Sequence, residues 1–180
     1  MKKKFFKEIE IPEGVEVEIK GKQITIKGEK GELSKEFKMN NLVFEKKDKK
    51  IVLGNEKATK KEKKMTNTII AHIKNMLKGV QNKHEYLLKV CNSHFPMTVE
   101  IKGNTAIIKN FLGEKIPREC KIPEGVEVKV NKDVIVITSL DKELAGQAAA
   151  NFEKTTKIRL KDRRIFQDGI YITNKAGREI

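Results

Sequence analysis

The 180-residue sequence predicts an α+β fold of two tandem duplicated domains, each a small antiparallel β-sheet packed against one α-helix. Three observations lead there: an internal repeat, short alternating apolar runs typical of strands, and one amphipathic stretch closing each half. Val17 to Glu32, VEIKGKQITIKGEKGE, matches Val99 to Glu114, VEIKGNTAIIKNFLGE, at nine of sixteen positions with a shift of 82. Self-similarity at a fixed period marks a duplicated structural unit. A competing identity, Ile11 to Val17 against Ile122 to Val128, has a shift of 111, which would carry the end of the first helix past the last residue. It reads instead as one turn used twice, with Pro and then Gly turning the chain before V-E-V starts a strand.

The elements follow in order. The opening Met1 to Glu8 is basic with no apolar run behind it, unlike a secretory signal. Purely apolar stretches such as Val134 to Ile137 fall far short of the ~20 residues a membrane-spanning helix needs, so a cytosolic protein without membrane contact is expected. Strands are expected at Val15 to Lys20, Gln23 to Lys27, Leu33 to Lys38, Leu42 to Lys46 and Ile51 to Leu53. Their counterparts are Thr98 to Lys102, Thr105 to Lys109, Lys115 to Lys121, Val126 to Val130 and Val134 to Thr138. Links as short as Gly21-Lys22 favour antiparallel hairpins. From Lys57 to Lys78, Met65, Ile69, Ile73, Met76 and Val80 recur at helical spacing, with Thr59 and Glu62 as a capping box and Gly79 as a C-cap. A second helix is expected from Asp141 to Lys157, with Leu144, Ala145, Ala148, Ala149 and Phe152 on one face. His84 to Cys91 is a strand or a linker between the halves, and Gly169 to Thr173 is a last short strand. The domains are therefore 1–83 and 84–180.

Charge points to a polyanionic partner. The net charge is +14, and residues 1–90 hold 23 Lys, no Arg and 13 acids against 11 Lys, 5 Arg and 12 acids in residues 91–180. Arginine's planar fork matches phosphate oxygens, whereas lysine is a hydrated point charge that also serves solubility. From Lys154 to Arg178, eight basic residues face only Asp162 and Asp168 after helical periodicity has stopped, which suits contact with a nucleic-acid backbone. The lysine run Lys46 to Lys64 is interleaved with Asp48, Glu56 and Glu62, and either a solvated face or a phosphate contact fits it. Asn110 to Glu114 puts Phe111 and Leu112 at a hairpin tip, either as a contact site or packed back on a neighbouring strand. Gly146, unfavourable inside a helix by roughly 1 kcal/mol against Ala, implies close approach to a sheet or to an RNA backbone.

Catalysis finds little support. His72, His84 and His94 are far apart, Cys91 and Cys120 read as buried structural thiols, and G-x-S-x-G, Walker A and Rossmann fingerprints are missing. Gly28 to Gly31 has the G-x-x-G form of an RNA-clamping loop, but between strands it reads as a turn. No catalytic residue, metal or cofactor is expected. An RNA-modifying enzyme using Cys91 or Cys120 is the weakest alternative.

Four blocks carry a resemblance: Ser93-His94-Phe95-Pro96-Met97, Asn110 to Lys115, Gly146-Gln147-Ala148-Ala149, and Asp162 to Tyr171. In this order they resemble the large-subunit ribosomal protein six family, called protein nine in eukaryotes, and the H-F-P-M and F-Q-D-G-I-Y blocks are similar to its archaeal form. The resemblance implies a non-catalytic structural protein of the large subunit in the cytoplasm. It also implies that the second domain binds the 3′ region of large-subunit rRNA near the sarcin–ricin loop. Neighbouring ribosomal proteins would be partners, and translation factors would bind nearby. The expected rRNA-binding residues are Lys109, Asn110, Phe111, Lys115, Gly146, Gln147, Asn151, Lys154, Lys157, Arg159, Lys161, Arg163, Arg164, Lys175 and Arg178. The alternative is a free-standing RNA chaperone or general nucleic-acid binder on the same duplicated fold.

Overall fold

The computed structural model describes residues 3–37, 42–47, 49–162 and 164–180. The chain divides into two compact units, Met1–Lys83 and His84–Ile180. The first runs β1 (Lys3–Glu10), β2 (Glu16–Lys20), β3 (Gln23–Gly28), β4 (Gly31–Glu36), β5 (Val43–Lys47), β6 (Lys50–Ala58) and α1 (Lys60–Gln81). The second runs β7 (His84–Cys91), β8 (Thr98–Lys102), β9 (Thr105–Lys109), β10 (Arg118–Lys121), β11 (Val126–Asn131), β12 (Val134–Ser139), α2 (Lys142–Thr155), β13 (Gly169–Lys175) and β14 (Arg178–Glu179). The period of 82 holds in space: β2 and β8 start 82 residues apart, and so do α1 and α2.

The tandem α+β architecture stands, with the antiparallel strands of each unit distributed over two sheets rather than one. The first unit has sheets ordered β1-β6-β5 and β2-β3-β4; the second has β11-β12-β7-β13-β14 and β10-β9-β8. Two sheets let one helix cover apolar residues from both. In the second unit Ala145, Ala148, Ala149 and Phe152 of α2 close a core with Leu88, Ile108, Ile135, Ile137 and Ile170. In the first, Ile69, Ile73, Met76 and Val80 of α1 meet Ile24, Ile26, Ile51 and Leu53. Met65, expected on that face, is 39% exposed. No helix among the described residues is long and apolar enough to cross a membrane.

His84–Cys91 is the middle strand of the five-stranded sheet, paired with β12 on one side and β13 on the other. Its alternating burial shows why the segment was legible as a strand but not as a central one. The strand expected from Lys115 begins only at Arg118, because Pro117 has no N–H to donate and the chain leaves Phe111–Gly113 through a 3-10 turn. β1 has no counterpart among the expected strands; its lysines and glutamates hide a pattern in which Phe5, Phe6 and Ile9 are the covered residues.

Gly79 does not end α1. The helix continues to Gln81, and the Asn82 N–H bonds Lys78 O at 2.8 Å. The extra turn lets Val80 O accept from Lys30 N at 3.0 Å, docking the helix end on the β3–β4 turn. Gly28 lies directly beneath, where an added Cβ would stand 2.9 Å from Val80 O. Gly28→Ala should therefore force the helix off the turn and destabilise the protein by about 1–3 kcal/mol, as a lower urea midpoint would show.

Candidate nucleic-acid interface

Where the second unit departs from the first, three loops are locked together. α2 has 14 residues against 22 in α1, so it stops short of the β9–β10 tip. The chain instead passes through residues 156–168 to β13, beside residues 92–97 and the tip 110–115. Asp168, only 2% exposed, is the main junction. Its Oδ1 accepts from Ser93 N at 2.7 Å and His94 N at 3.0 Å, and its Oδ2 lies 2.6 Å from His94 Nδ1. Burial pushes the Asp168 carboxyl up, but the His94 and Ser93 hydrogen bonds and the His94 charge outweigh it, leaving the net pKa below the usual value. The His94 ring also stacks on Phe166 at 4.9 Å between centroids.

A second junction ties the tip to the end of α2. The Arg118 guanidinium makes a bidentate pair with Glu114 at 2.6 and 2.8 Å and donates to Thr155 O at 2.6 Å. It also lies 4.3 Å over the centre of the Phe111 ring. The Arg118 hydrogen bonds hold Glu114 below the usual carboxylate range against a smaller opposing effect of burial, with the charges of Arg118 and Lys161 adding to the drop. A third tie joins the tip to the first loop: Asn110 Nδ2 donates to Pro96 O at 2.9 Å. Asn110 and Leu112 hold left-handed backbone conformations there, at φ 58° and 50°.

The expected contact residues divide into three groups. Lys109, Asn110 and Lys115 sit on the tip, Lys154 and Lys157 at the end of α2, and Arg159, Lys161 and Arg164 on the segment beyond it, all exposed. The Arg118 bonds to Glu114 and Thr155 O tie the tip to the end of α2; Lys109 is paired with Glu100 at 2.6 Å, Arg164 Nε lies 3.9 Å from Asp162 Oδ1, and Arg163 lies outside the described residues. A second group serves the fold. Phe111 is 1% exposed, so its ring packs back into the core and cannot meet RNA. A Cβ on Gly146 would stand 3.2 Å from the Tyr86 hydroxyl, so the sheet, of the two surfaces expected, explains that glycine. Asn151 Nδ2 donates to Lys121 O at 2.9 Å, holding α2 to β10. The third group lies apart. Lys175 and Arg178 pair in the β13–β14 hairpin, roughly 20 Å along the strand from Gly169, and Gln147 is on the exposed middle of α2.

Sequence reasoning missed the apolar part of this face. Phe95, Ile116, Leu160, Ile165 and Tyr171 are all exposed on or beside the three loops, against Val43, Met65, Val134 and Ile180 elsewhere. Basic and apolar side chains mixed on a braced surface suit a partner that is both anionic and able to cover apolar area. The signal available was the lack of any period in Ile158 to Gln167, where Ile158 reaches the core but Leu160 and Ile165 do not. Cys120 is buried, which pushes its thiol pKa up, Cys91 is half-buried, and no cluster of three or more potential metal ligands occurs among the described residues.

A family model described as ribosomal protein L6 matches residues 11–83 and 95–169. The chain is 45% identical over 171 residues to large ribosomal subunit protein uL6 of Methanococcus vannielii, covering 95% of this chain and 94% of that protein. It is 44% identical over 167 residues to the protein of that name from Methanothrix thermoacetophila, covering 93% and 95%. Against that of Methanobrevibacter smithii it is 45% identical over 168 residues, covering 93% and 94%.

Two outcomes test the Asp168 junction. Asp168→Ala, which strands two backbone N–H donors and a ring nitrogen, should cost about 3 kcal/mol or more in urea unfolding at pH 7. Because the folded pKa is depressed, the stabilisation is fully present above the unfolded value of about 3.9 and is lost as pH falls through the folded value. The stability gap between the wild type and Asp168→Asn should therefore narrow as unfolding is followed from pH 7 down to about 2.5; a constant gap would assign the effect to shape alone.

Proposed function

The chain belongs to the ribosomal protein L6 family, and from that premise we propose that its second unit is the main rRNA-reading part of a large-subunit ribosomal protein. The protein is a non-enzymatic structural constituent of the large ribosomal subunit in the cytoplasm, with rRNA and other ribosomal proteins as partners. In the reading proposed, the three locked loops seat on the 3′ region of large-subunit rRNA near the sarcin–ricin loop. They thereby support the region where translation factors bind.

The observation that carries this reading is that Lys115, Lys154, Lys157, Arg159, Lys161 and Arg164 are all exposed on a tip and a segment that Asp168 and Arg118 brace. Bracing matters because folded RNA is recognised largely by shape and phosphate spacing, and cations on a rigid frame lose little freedom on binding. The exposed apolar residues interleaved with them suit sugar edges and unstacked bases. Lys109 and Asn110 extend the same face along the hairpin. Gln147, Lys175 and Arg178 would meet a second RNA segment or a neighbouring protein.

Titration of the full chain with a transcript of the rRNA 3′ region, at salt from 50 to 200 mM, tests this. Replacing Lys154, Lys157 and Lys161 together by Ala should weaken binding at low salt at least tenfold and reduce the salt slope by about 2 to 3. The triple replacement of Lys60, Lys61 and Lys64 in the first unit should change both much less. Equal losses from the two triples would overturn the assignment.

A further inference from the structure

Phosphate contact alone does not explain the aromatic side chains set among these lysines. Between the end of α2 and β13 lies a cleft of about 830 Å³ lined by Lys154, Lys157, Phe166, Gln167 and Tyr171. That volume is within the range of sites that hold a small organic ring system. Tyr171 is 44% exposed yet held in place. Its hydroxyl donates to Asp168 O at 3.3 Å, and its ring rests against Gly169, where an added Cβ would stand 3.0 Å from the ring. Gly169 also has φ +155°, a backbone conformation that favours glycine there. Phe166 is fixed between the His94 ring and Lys161, whose Nζ is 4.4 Å from the ring centre.

An exposed aromatic ring held by the backbone beneath it has already lost its rotamer freedom, so a flat partner stacks on it at little further entropic cost. Lys154 and Lys157 supply positive charge at the same cleft, and the Gln167 amide, which spends one N–H on Arg164 O at 3.3 Å, keeps its second N–H and its oxygen for a heterocycle edge. Glu153, the one carboxylate in the lining, accepts from Ile172 N at 3.0 Å as part of the fold. Flat ring, adjacent negative charge and a hydrogen-bonding edge together describe a nucleotide.

We propose that this cleft takes one unstacked nucleobase of the bound rRNA, stacked on Tyr171, with its flanking phosphates on Lys154 and Lys157. The proposal rests on the rRNA-binding reading above and adds a base contact to it, so this protein reads an extruded nucleotide as well as backbone shape. Stacking is insensitive to base identity, whereas Gln167 favours a base whose edge offers paired donor and acceptor groups.

The test uses the full chain and the same 3′-region transcript. Tyr171→Leu should weaken binding at least fivefold, equally across 50 to 200 mM salt, whereas Tyr171→Phe, which keeps the ring, should stay within about twofold of wild type. Ultraviolet irradiation of the unaltered complex should join one nucleotide to the peptide containing Tyr171. Wild-type binding with an unaffected Tyr171→Leu variant and no such cross-link overturns the nucleobase site alone. A wild-type protein that does not bind the transcript overturns the rRNA reading and this site with it. Should a thermal melt show Tyr171→Leu unfolded, the cross-link on the unaltered protein decides.

Discussion

The second unit depends on one buried carboxylate. Removing Asp168 from water is unfavourable unless donors replace the water it loses, and two backbone N–H groups and the His94 ring do so. Those donors lie some 75 residues earlier in the chain, so satisfying one charge fixes two loops with no regular secondary structure against each other. His94 then sets Phe166, and the backbone after Asp168 sets Gly169 and Tyr171. Arg118 does the same for the other side of the face. Its guanidinium is used by Glu114, Phe111 and Thr155, so this arginine is a brace rather than a phosphate reader.

Duplication supplied the scaffold, and a shortened helix separated the roles of its two copies. In the first unit α1 reaches the β3–β4 turn and binds its backbone, leaving the tip pinned to its own helix. The eight residues by which α2 is shorter release the corresponding tip to join residues 92–97 and 156–168. The released chain also gives β13, whose outer N–H groups at Ile170 and Ile172 bond the Thr156 hydroxyl and the Glu153 carboxylate. Side chains near the end of α2 thus satisfy a sheet edge that would otherwise offer open donors. One change in helix length accounts for an added strand, a protected edge and a braced loop cluster.

The period of 82, the Thr59 and Asp141 helix caps and the β2–β3 and β8–β9 hairpins were legible because each rests on local pattern: side-chain alternation, helical spacing and turn residues; the first helix, expected from Lys57, starts at Lys60 because Lys57 and Ala58 end β6. Features that depend on distant partners were not. Gly79 has the chemistry of a C-cap, but docking on Gly28 extended the helix past it. Phe111 has the sequence context of an exposed tip residue, but Arg118 and the α2 core draw it inward. Division of the strands into two sheets follows from how one helix covers them, which no stretch of sequence encodes alone. At the interface, the basic residues could be read from composition, whereas Tyr171 and Leu160 acquire meaning only once their exposure is known.

The distribution of charge has a physical reading that its totals conceal. The first unit holds more lysines, yet several are used by its own fold: Lys46 Nζ donates to Val17 O at 2.9 Å, Lys50 pairs with Glu8 at 3.0 Å, and Lys63 lies 5.5 Å over the Phe5 ring. Such contacts hold these ammonium groups to the fold, and the Glu8 carboxylate also offsets the charge of Lys50. Of the acids in the second unit's face, Glu114 is turned to Arg118 and Asp168 is enclosed with His94, so neither opposes Lys154 and Lys157 at the end of α2, whereas Asp162 stays half-exposed 3.9 Å from Arg164. A smaller excess of charge can therefore present the stronger local field, because two of the acids that would cancel it, Glu114 and Asp168, are committed to holding the loops in place.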